Sequence, residues 1–396
     1  MIRRLAWVFL HQGLGRGSVF VFFALLPLVL PLEAVGRFTL AWAALLLVLQ
    51  PALEAAAGTL LVRSFARGET TTALRIAAAA TVAVASIAAA LVLLAFALRA
   101  VAPVWGWLGL SFAALLPLGL LFAAGRGMGR FDVEGVAGTV QKASLPPLLI
   151  LLASDGADET LPAKALLLSA IPGWGAAVLV LARRPLPAVT PSASRAPSAT
   201  AREALLLAAL AATSFLALRA DLGLLGVLRD LREVGLYATA SRWVEAAYVL
   251  PYGAMLAFFP TLATQTPDGA RLRRPAALFA ATGLLGGALV SAAALLLAPR
   301  LYDGAGSEIA SVVLRLAPAA FAVALSTLCG QALVAREKTH LALLGGLAGL
   351  GVHVAASLLL IPSHGPAGAA WATVAGEAAG AAAAGLLLVR TLSREA

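Results

Sequence analysis

Long apolar runs alternate along the chain with short clusters of charge, proline or glycine. Six runs lie before residue 183 and six lie after residue 203. Each is long enough to cross a bilayer as a helix of about 20 residues. The pattern therefore predicts twelve transmembrane helices, near residues 5–31, 38–62, 76–98, 101–124, 135–153, 161–182, 204–228, 236–263, 276–298, 309–334, 341–361 and 367–389.

One long polar connection separates the two sets of runs. It extends from Arg183 to Glu203 and contains the stretch PSASRAPSAT. Proline, serine and alanine in this proportion are typical of a flexible linker. The sequence thus predicts an N-terminal six-helix lobe over 1–182, a cytoplasmic linker over 183–203 and a C-terminal six-helix lobe over 204–396.

The two sets of runs resemble copies of each other. Val35 and Gly36 precede the second run, and Val234 and Gly235 precede the eighth, at an offset of 199 residues. Six helices in each copy would give both the same orientation, related by an axis along the membrane normal. Two such halves can move against each other about a site near the midplane. We therefore predict an all-α polytopic membrane protein with the architecture of a transporter.

Composition excludes several classes of protein. The chain is 61% hydrophobic and 12% charged, with a mean hydropathy of +0.94. Soluble domains carry about twice that charge, so a soluble enzyme, a disordered chain and a nucleic-acid-binding module are excluded. A single cysteine, histidines without metal-ligand spacing and the lack of a Walker sequence predict no cofactor and no metal.

The loop charges predict the orientation. The net charge is +10, and loop lysines and arginines favour one side of the membrane by roughly three to one. Because cytoplasmic loops carry this excess, both termini are predicted to be cytoplasmic. The basic N-terminus leads into a long apolar run without a small-residue cleavage site, so we interpret that run as a retained first helix.

Several ionisable residues fall inside the predicted spans, where each costs about 2.5–3.5 kcal/mol or more unless it faces a cavity or a partner. Five are bases and four are acids, which favours an anionic substrate. They are Arg16, Glu54, Lys142, Arg219, Asp221, Arg242, Glu245, Arg315 and Glu377.

Four of these residues are predicted to share one layer. A rise of about 1.5 Å per residue places Arg219, Arg242 and Glu245 at a similar depth below the outer face. Arg242 and Glu245, three residues apart, can form an ion pair on one helix face. Arg219 and Asp221, two residues apart, should point about 160° away from each other. The pair of Arg242 and Glu245 is equally compatible with a purely structural role.

The other intramembrane charges have simpler explanations. Arg315 and Lys142 lie near helix ends, where their side chains can reach the interface. Glu377 lies within Gly376–Gly380, where small residues permit close helix packing, so we expect Glu377 to have a packing role and not a transport role. Arg16 and Arg219 lie deepest and are the hardest to explain without a water-filled cavity.

Three stretches carry a family resemblance. Residues Arg219–Gly226 and Glu233–Arg242 resemble the start of the second half of bacterial polysaccharide flippases of the Wzx type. Residues Leu360–Thr373 resemble the hairpin near the C-terminus of those proteins. They belong to the multidrug/oligosaccharidyl-lipid/polysaccharide (MOP) exporter superfamily. With the span count, the resemblance covers nearly the whole chain.

The resemblance implies a two-lobed, MATE-like flippase in the bacterial inner membrane. Such a protein moves polyprenyl-diphosphate-linked oligosaccharide by alternating access for polysaccharide biosynthesis. It implies that Arg219 and Arg242 bind the diphosphate by charge-assisted hydrogen bonds, assisted by Arg16 and Arg315. Asp221, Glu245 and Glu54 would then balance the arginines or bind a coupling H⁺ or Na⁺; a polysaccharide polymerase is an expected partner.

Two alternatives remain open. A cation-coupled multidrug exporter of the same superfamily would rely on its acids, namely Asp221, Glu245 and Glu54. A membrane enzyme of the same sugar pathway would place catalytic groups in a large outer loop. The outer loops here are short, and no paired-aspartate glycosyltransferase motif is present. We therefore predict a transporter and not an enzyme.

Overall fold

A computed structural model describes residues 2–49, 103–154, 156–184, 197–255, 258, 269–336 and 338–395. These residues are almost entirely helical and contain no strand. The predicted all-α class is therefore confirmed. Glu54, the third predicted run at 76–98 and most of the linker lie outside the described residues.

The described helices follow the predicted runs closely. Seven helical stretches within them are long and apolar enough to cross a membrane. The helices are α1 (Ile2–Val29), α2 (Leu32–Leu49), α3 (Val104–Gly127), α4 (Phe131–Ala153), α5 (Leu161–Arg183), α6 (Pro197–Leu228), α7 (Leu231–Ala247), α8 (Gly269–Leu301), α9 (Gly306–Leu316), α10 (Ala319–Ala335) and α11 (Thr339–Glu395).

Three predicted runs differ from the helices of the structure for local reasons. α4 contains a π-helical turn over Glu134–Gly138, and its regular path breaks again at Ser144, just before two prolines. The tenth run is divided into α9 and α10 because Pro318 caps the second helix and cannot continue the first. α6 begins at Pro197, inside the segment expected to be linker.

The described residues form two compact units. The first unit holds residues up to Leu30 and those from Ala44 to Ala208. The second unit holds Pro31–Ala43 and the residues from Ala209 onward. The first part of α2 therefore packs in the second unit, although the sequence assigned it to the N-terminal lobe. Otherwise the boundaries of the two lobes and the linker stay a prediction.

A reciprocal glycine contact explains the position of α2. A Cβ atom on Gly36 would lie 2.1 Å from the carbonyl oxygen of Leu231, and one on Gly235 would lie 1.9 Å from that of Leu32. Only glycine permits such a close approach of two backbones. The two contacts are related by the same offset of 199 residues, which supports the internal repeat.

α11 is an antiparallel hairpin of two helical arms that turn at Gly365, where φ is +52°. A Cβ on Gly349 would lie 2.9 Å from the Cα of Gly380, and one on Gly345 would lie 3.1 Å from the Cβ of Ala384. Small residues spaced by four on both arms thus bring their backbones together. The arms correspond to the eleventh and twelfth predicted runs.

The outward faces of the second unit are apolar. Leu289 and Leu296 of α8 are 56% and 60% exposed, and Leu359 of the first arm is 76% exposed. The same unit holds a buried cluster that includes Phe279, Leu328 and Leu388. Large exposed leucines over a packed interior are what a lipid-facing helical surface requires.

Candidate functional site

Two arginines from neighbouring helices bind one carboxylate in the second unit. Arg219 of α6 donates to both oxygens of Glu245, at 2.7 and 3.3 Å. Arg242 of α7 donates to Glu245 Oε2 at 2.7 Å. The predicted Arg242–Glu245 pair is confirmed, and Glu245 also receives Arg219. We call these three residues the arginine cluster.

The arginine cluster is largely removed from solvent. The side chains of Arg219 and Arg242 are 6% and 10% exposed, and that of Glu245 is 21% exposed. Moving an ion out of water costs several kcal/mol, so Glu245 is needed to hold the two guanidinium groups side by side. The three formal charges sum to +1.

A second polar cluster surrounds Asp221, and we call it the aspartate cluster. The Tyr237 hydroxyl and the Thr373 hydroxyl both donate to Asp221 Oδ2, the latter at 3.0 Å. The Leu222 amide donates to Asp221 Oδ1 at 2.7 Å. His353 completes the cluster, with its Nε2 4.0 Å from Asp221 Oδ2. The cluster thereby joins α6, α7 and both arms of α11.

Arg219 and Asp221 of α6 have different partners. Arg219 reaches Glu245 of α7, whereas Asp221 reaches Tyr237 of α7 and the α11 hairpin. Different partners are what the sequence predicts for two side chains that lie two residues apart on one helix. Asp221 is only 2% exposed, and its donors Tyr237, Thr373 and the Leu222 amide are all neutral.

The turn between α6 and α7 fixes how the arginines approach each other. Asp230 caps α7 by accepting the Glu233 amide at 2.8 Å. Arg229 binds both oxygens of Glu233, at 2.7 and 2.8 Å, and also donates to the Pro362 carbonyl at 3.3 Å. The short turn and these bonds hold α6 and α7 as adjacent helices, so Arg219 can reach across to α7.

A cavity of about 340 Å³ lies within the second unit. Among the described residues, no lysine or arginine lines it. Its polar lining consists of Thr213, Ser214, Tyr248, Tyr252, Ser326, Thr327, Gln331, His353 and Glu377. His353 belongs to both the cavity wall and the aspartate cluster, so the two are adjacent.

The remaining predicted site residues are Arg315, Arg16 and Glu54. Arg315 lies in the last turn of α9 and binds its own helix, donating to the Ser311 carbonyl at 2.9 Å and to the Ser311 hydroxyl. Arg16 lies on an exposed face of α1 in the first unit. Glu54 lies outside the described residues.

Sequence reasoning missed Tyr237, Thr373 and His353 as members of a polar cluster. Tyr237 and Thr373 lie inside the stretches that carried the family resemblance, which was the available signal. His353 shows only as one polar residue in an apolar arm. In the described ranges, no group of three or more His, Cys, Asp or Glu side chains is arranged to hold a metal ion.

Solved structures share this fold over almost the whole chain. A mutant of the Vibrio cholerae MATE transporter VcmN has a TM-score of 0.73 at 17% identity, covering 99% of this chain and 97% of that one. The lipid II flippase MurJ, in an inward closed conformation, has a TM-score of 0.66 at 11% identity, covering 99% and 88%. A MOP superfamily transporter from Pyrococcus furiosus has a TM-score of 0.62 at 13% identity, covering 98% and 95%.

No protein-family model and no curated protein sequence matches the chain. The likeness therefore lies in the fold, which is the MATE-like fold predicted from the sequence. The chain is an all-helical protein with the transporter fold that MATE exporters and the flippase MurJ share.

Proposed function

We propose that the protein is a flippase that moves polyprenyl-diphosphate-linked oligosaccharide across the bacterial inner membrane for polysaccharide biosynthesis. It works by alternating access, with both termini cytoplasmic. The observation that carries the proposal is the arginine cluster, in which Glu245 holds two buried guanidinium groups side by side. A fold shared with a lipid II flippase supports it.

The diphosphate is recognised by planar, doubly donating groups. Each guanidinium presents several N–H donors in a fixed fork that matches two phosphate oxygens. Glu245 compensates Arg219 and Arg242 in the empty state, and the entering diphosphate competes with it for the same donors. Arg16 and Arg315 assist at other points of the path.

The test compares two substitutions of Arg219. Arg219→Lys keeps the charge but loses the fork, so partial transport is expected, whereas Arg219→Ala should abolish transport without lowering protein abundance in the membrane. The measurement is lipid-linked oligosaccharide accumulating on the cytoplasmic leaflet of cells. Arg232→Ala is the matched control because Arg232 forms an exposed pair with Glu308. Normal outward movement in the combined Arg219→Ala and Arg242→Ala variant would overturn the mechanism.

A second candidate function is cation-coupled multidrug export. The observation that favours it is the cavity of the second unit, which presents Glu377 and two tyrosines. An exporter of this kind relies on acids, so Asp221→Asn should stop efflux of a cationic dye while Arg219→Ala is tolerated. The reverse pattern favours the flippase.

We propose no enzymatic role. The structures that share the fold are transporters and a flippase. Purified protein mixed with lipid-linked sugar should release no free polyprenyl diphosphate and form no glycosidic bond. A polysaccharide polymerase is the expected partner in the cell, and an H⁺ or Na⁺ gradient is the expected energy source.

A further inference from the structure

Four hydroxyl groups in the wall of the cavity are available mainly as hydrogen-bond acceptors. Each already donates its proton to a carbonyl oxygen about one turn earlier on its own helix. A hydroxyl has one proton but two lone pairs, so it can still accept a hydrogen bond from a ligand. The hydroxyl–carbonyl distances are 2.7–3.1 Å, and the residues are Thr213 and Ser214 of α6 and Ser326 and Thr327 of α10.

Glu377 adds two more acceptor oxygens to the cavity wall. A Cβ on Gly376 would lie 2.5 Å from the Cβ of His353, and Gly380 packs on Gly349 in the same way. These glycines make the close contacts between the two arms of α11, so the packing role expected for Glu377 belongs to them instead. Because no lysine or arginine of the described chain lines the cavity, an anionic group would meet Glu377 without a compensating base.

The rest of the polar wall supplies two aromatic rings and an amide. Tyr248 and Tyr252 follow α7, and Gln331 of α10 carries two N–H donors and one acceptor. An aromatic ring offers an apolar face to a ligand, and its hydroxyl offers a polar edge. A sugar ring has the complementary form, with C–H groups on its faces and hydroxyl donors around its edge.

The cavity wall continues into the arginine cluster along two helices. On α6, Leu218 lines the cavity and Arg219 follows it directly. Tyr248 lines the cavity three residues after Glu245, and its amide donates to the Glu245 carbonyl at 3.1 Å. Both separations are within one helical turn, which is about 5.4 Å along the axis. One ligand can therefore place an anionic group at the cluster and a neutral group in the cavity.

We propose that this cavity binds the sugar attached directly to the diphosphate, and that it accepts an uncharged sugar and rejects a sugar acid. The inference rests on the proposed function, in which the arginine cluster binds the diphosphate. The diphosphate and its first sugar share one oxygen atom, so adjacent sites receive them. A volume of about 340 Å³ lies at the lower end of the range for small-molecule sites, about 300–1,000 Å³. The cavity thus admits only a small part of an oligosaccharide.

An organic cation is the competing occupant, because Glu377 and the two tyrosines would attract it. A quaternary cation brings no N–H or O–H donor to the acceptors of the wall. Each sugar hydroxyl brings one donor and also accepts, which suits Gln331. The polar groups that line the cavity therefore favour the sugar.

Binding of lipid probes to the purified full-length protein in detergent tests this specificity. Three probes share one short-chain polyprenyl diphosphate, esterified with glucose, with glucuronic acid or with a methyl group. Glucose and glucuronic acid differ only at C6, where the acid carries a carboxylate. In calorimetric titrations the glucose probe should bind at least about tenfold more tightly than either of the others, because an unpaired carboxylate beside Glu377 is unfavourable.

Two substitutions locate the effect in the cavity. Gln331→Ala should weaken the glucose probe about fivefold and leave the methyl probe unchanged, because only the sugar reaches Gln331. Glu377→Gln should bring the affinity for the glucuronic acid probe closer to that for glucose, because it removes the like charge. Unchanged binding of the methyl probe shows that each variant is folded. The matched control is Glu308→Gln, which should change nothing because Glu308 is exposed and paired with Arg232.

Equal affinities of the wild-type protein for the glucose and glucuronic acid probes would contradict the proposal. So would an affinity for the glucose probe that Gln331→Ala leaves unchanged. Displacement of the glucose probe by tetraphenylphosphonium would assign the cavity to organic cations instead. Failure of the proposed function has a different signature, in which Arg219→Ala binds the methyl probe as well as the wild type does while the preference for glucose remains.

Discussion

The arginine cluster and the aspartate cluster begin two residues apart on α6, yet they are stabilised in different ways. Arg219 meets a carboxylate that it shares with a second arginine. Asp221 meets the hydroxyl groups of Tyr237 and Thr373 and a backbone amide. One cluster is a set of opposite charges, and the other is one acid surrounded by neutral donors.

The two kinds of stabilisation suit different roles, one in binding a ligand and the other in positioning helices. Charge-assisted pairs are strong but exchangeable, because an incoming anion can replace the carboxylate that an arginine holds. A network of hydrogen bonds from neutral donors on three helices has no such competitor and instead fixes the helices to one another. In the proposed function the arginine cluster binds the substrate, whereas the aspartate cluster supports the wall of the neighbouring cavity.

The largest expected effect follows from removing the charge that the arginines share. Glu245→Gln leaves Arg219 and Arg242 buried without their carboxylate. Breaking a buried ion pair in this way costs about 3–5 kcal/mol. Reversible unfolding in mixed detergent micelles should show this loss in the free energy of unfolding.

The exposed pair of Arg232 and Glu308 provides the control for that experiment. Its side chains are 44% and 49% exposed, so Glu308→Gln should cost about 0–1 kcal/mol. Equal losses in Glu245→Gln and Glu308→Gln would mean that burial adds nothing to the arginine cluster. The distinction between the arginine cluster and the aspartate cluster would then have no basis in the free energy of unfolding.

Helical periodicity accounts for the parts of the site that could be predicted. Spacing on one helix was sufficient for the Arg242–Glu245 pair and for the different partners of Arg219 and Asp221. Hydropathy was sufficient for the helices themselves, because a bilayer demands long apolar runs. These features depend on one helix, or on one helix and its adjoining turn.

Contacts between distant segments could not be predicted in the same way. His353 and Thr373 reach Asp221 only because α11 turns at Gly365 and its arms pack glycine against glycine. The place of Pro31–Ala43 in the second unit depends on the reciprocal contact of Gly36 with Gly235. Contacts of this kind form where two backbones that are far apart in the sequence approach each other. A local sequence pattern does not indicate them.

A smaller effect is expected at Asp221, whose three hydrogen-bond donors are neutral groups. Asp221→Asn keeps the shape and one carbonyl acceptor, but it loses the extra strength that a charged acceptor gives to these bonds, about 1 kcal/mol for each. We expect the free energy of unfolding to fall by about 1.5–3 kcal/mol, less than for Glu245→Gln. A loss larger than that of Glu245→Gln would reverse the proposed order of the two clusters.

The smallest effects belong to the neutral donors, and they test whether the aspartate cluster is a network. Tyr237→Phe and Thr373→Val each remove a hydroxyl with little change of shape. Each should cost about 0.5–1.5 kcal/mol, because the two remaining donors still satisfy the Asp221 carboxylate. The two hydroxyls are 3.0 Å apart and bind the same oxygen of Asp221, so the double variant should differ from the sum of the singles by about 0.5 kcal/mol or more. Unfolding of the two single variants and the double variant in the same micelles measures this coupling. Strict additivity would mean that the hydroxyls act independently, and the aspartate cluster would then be a set of separate bonds that cannot hold α7 and α11 in one arrangement.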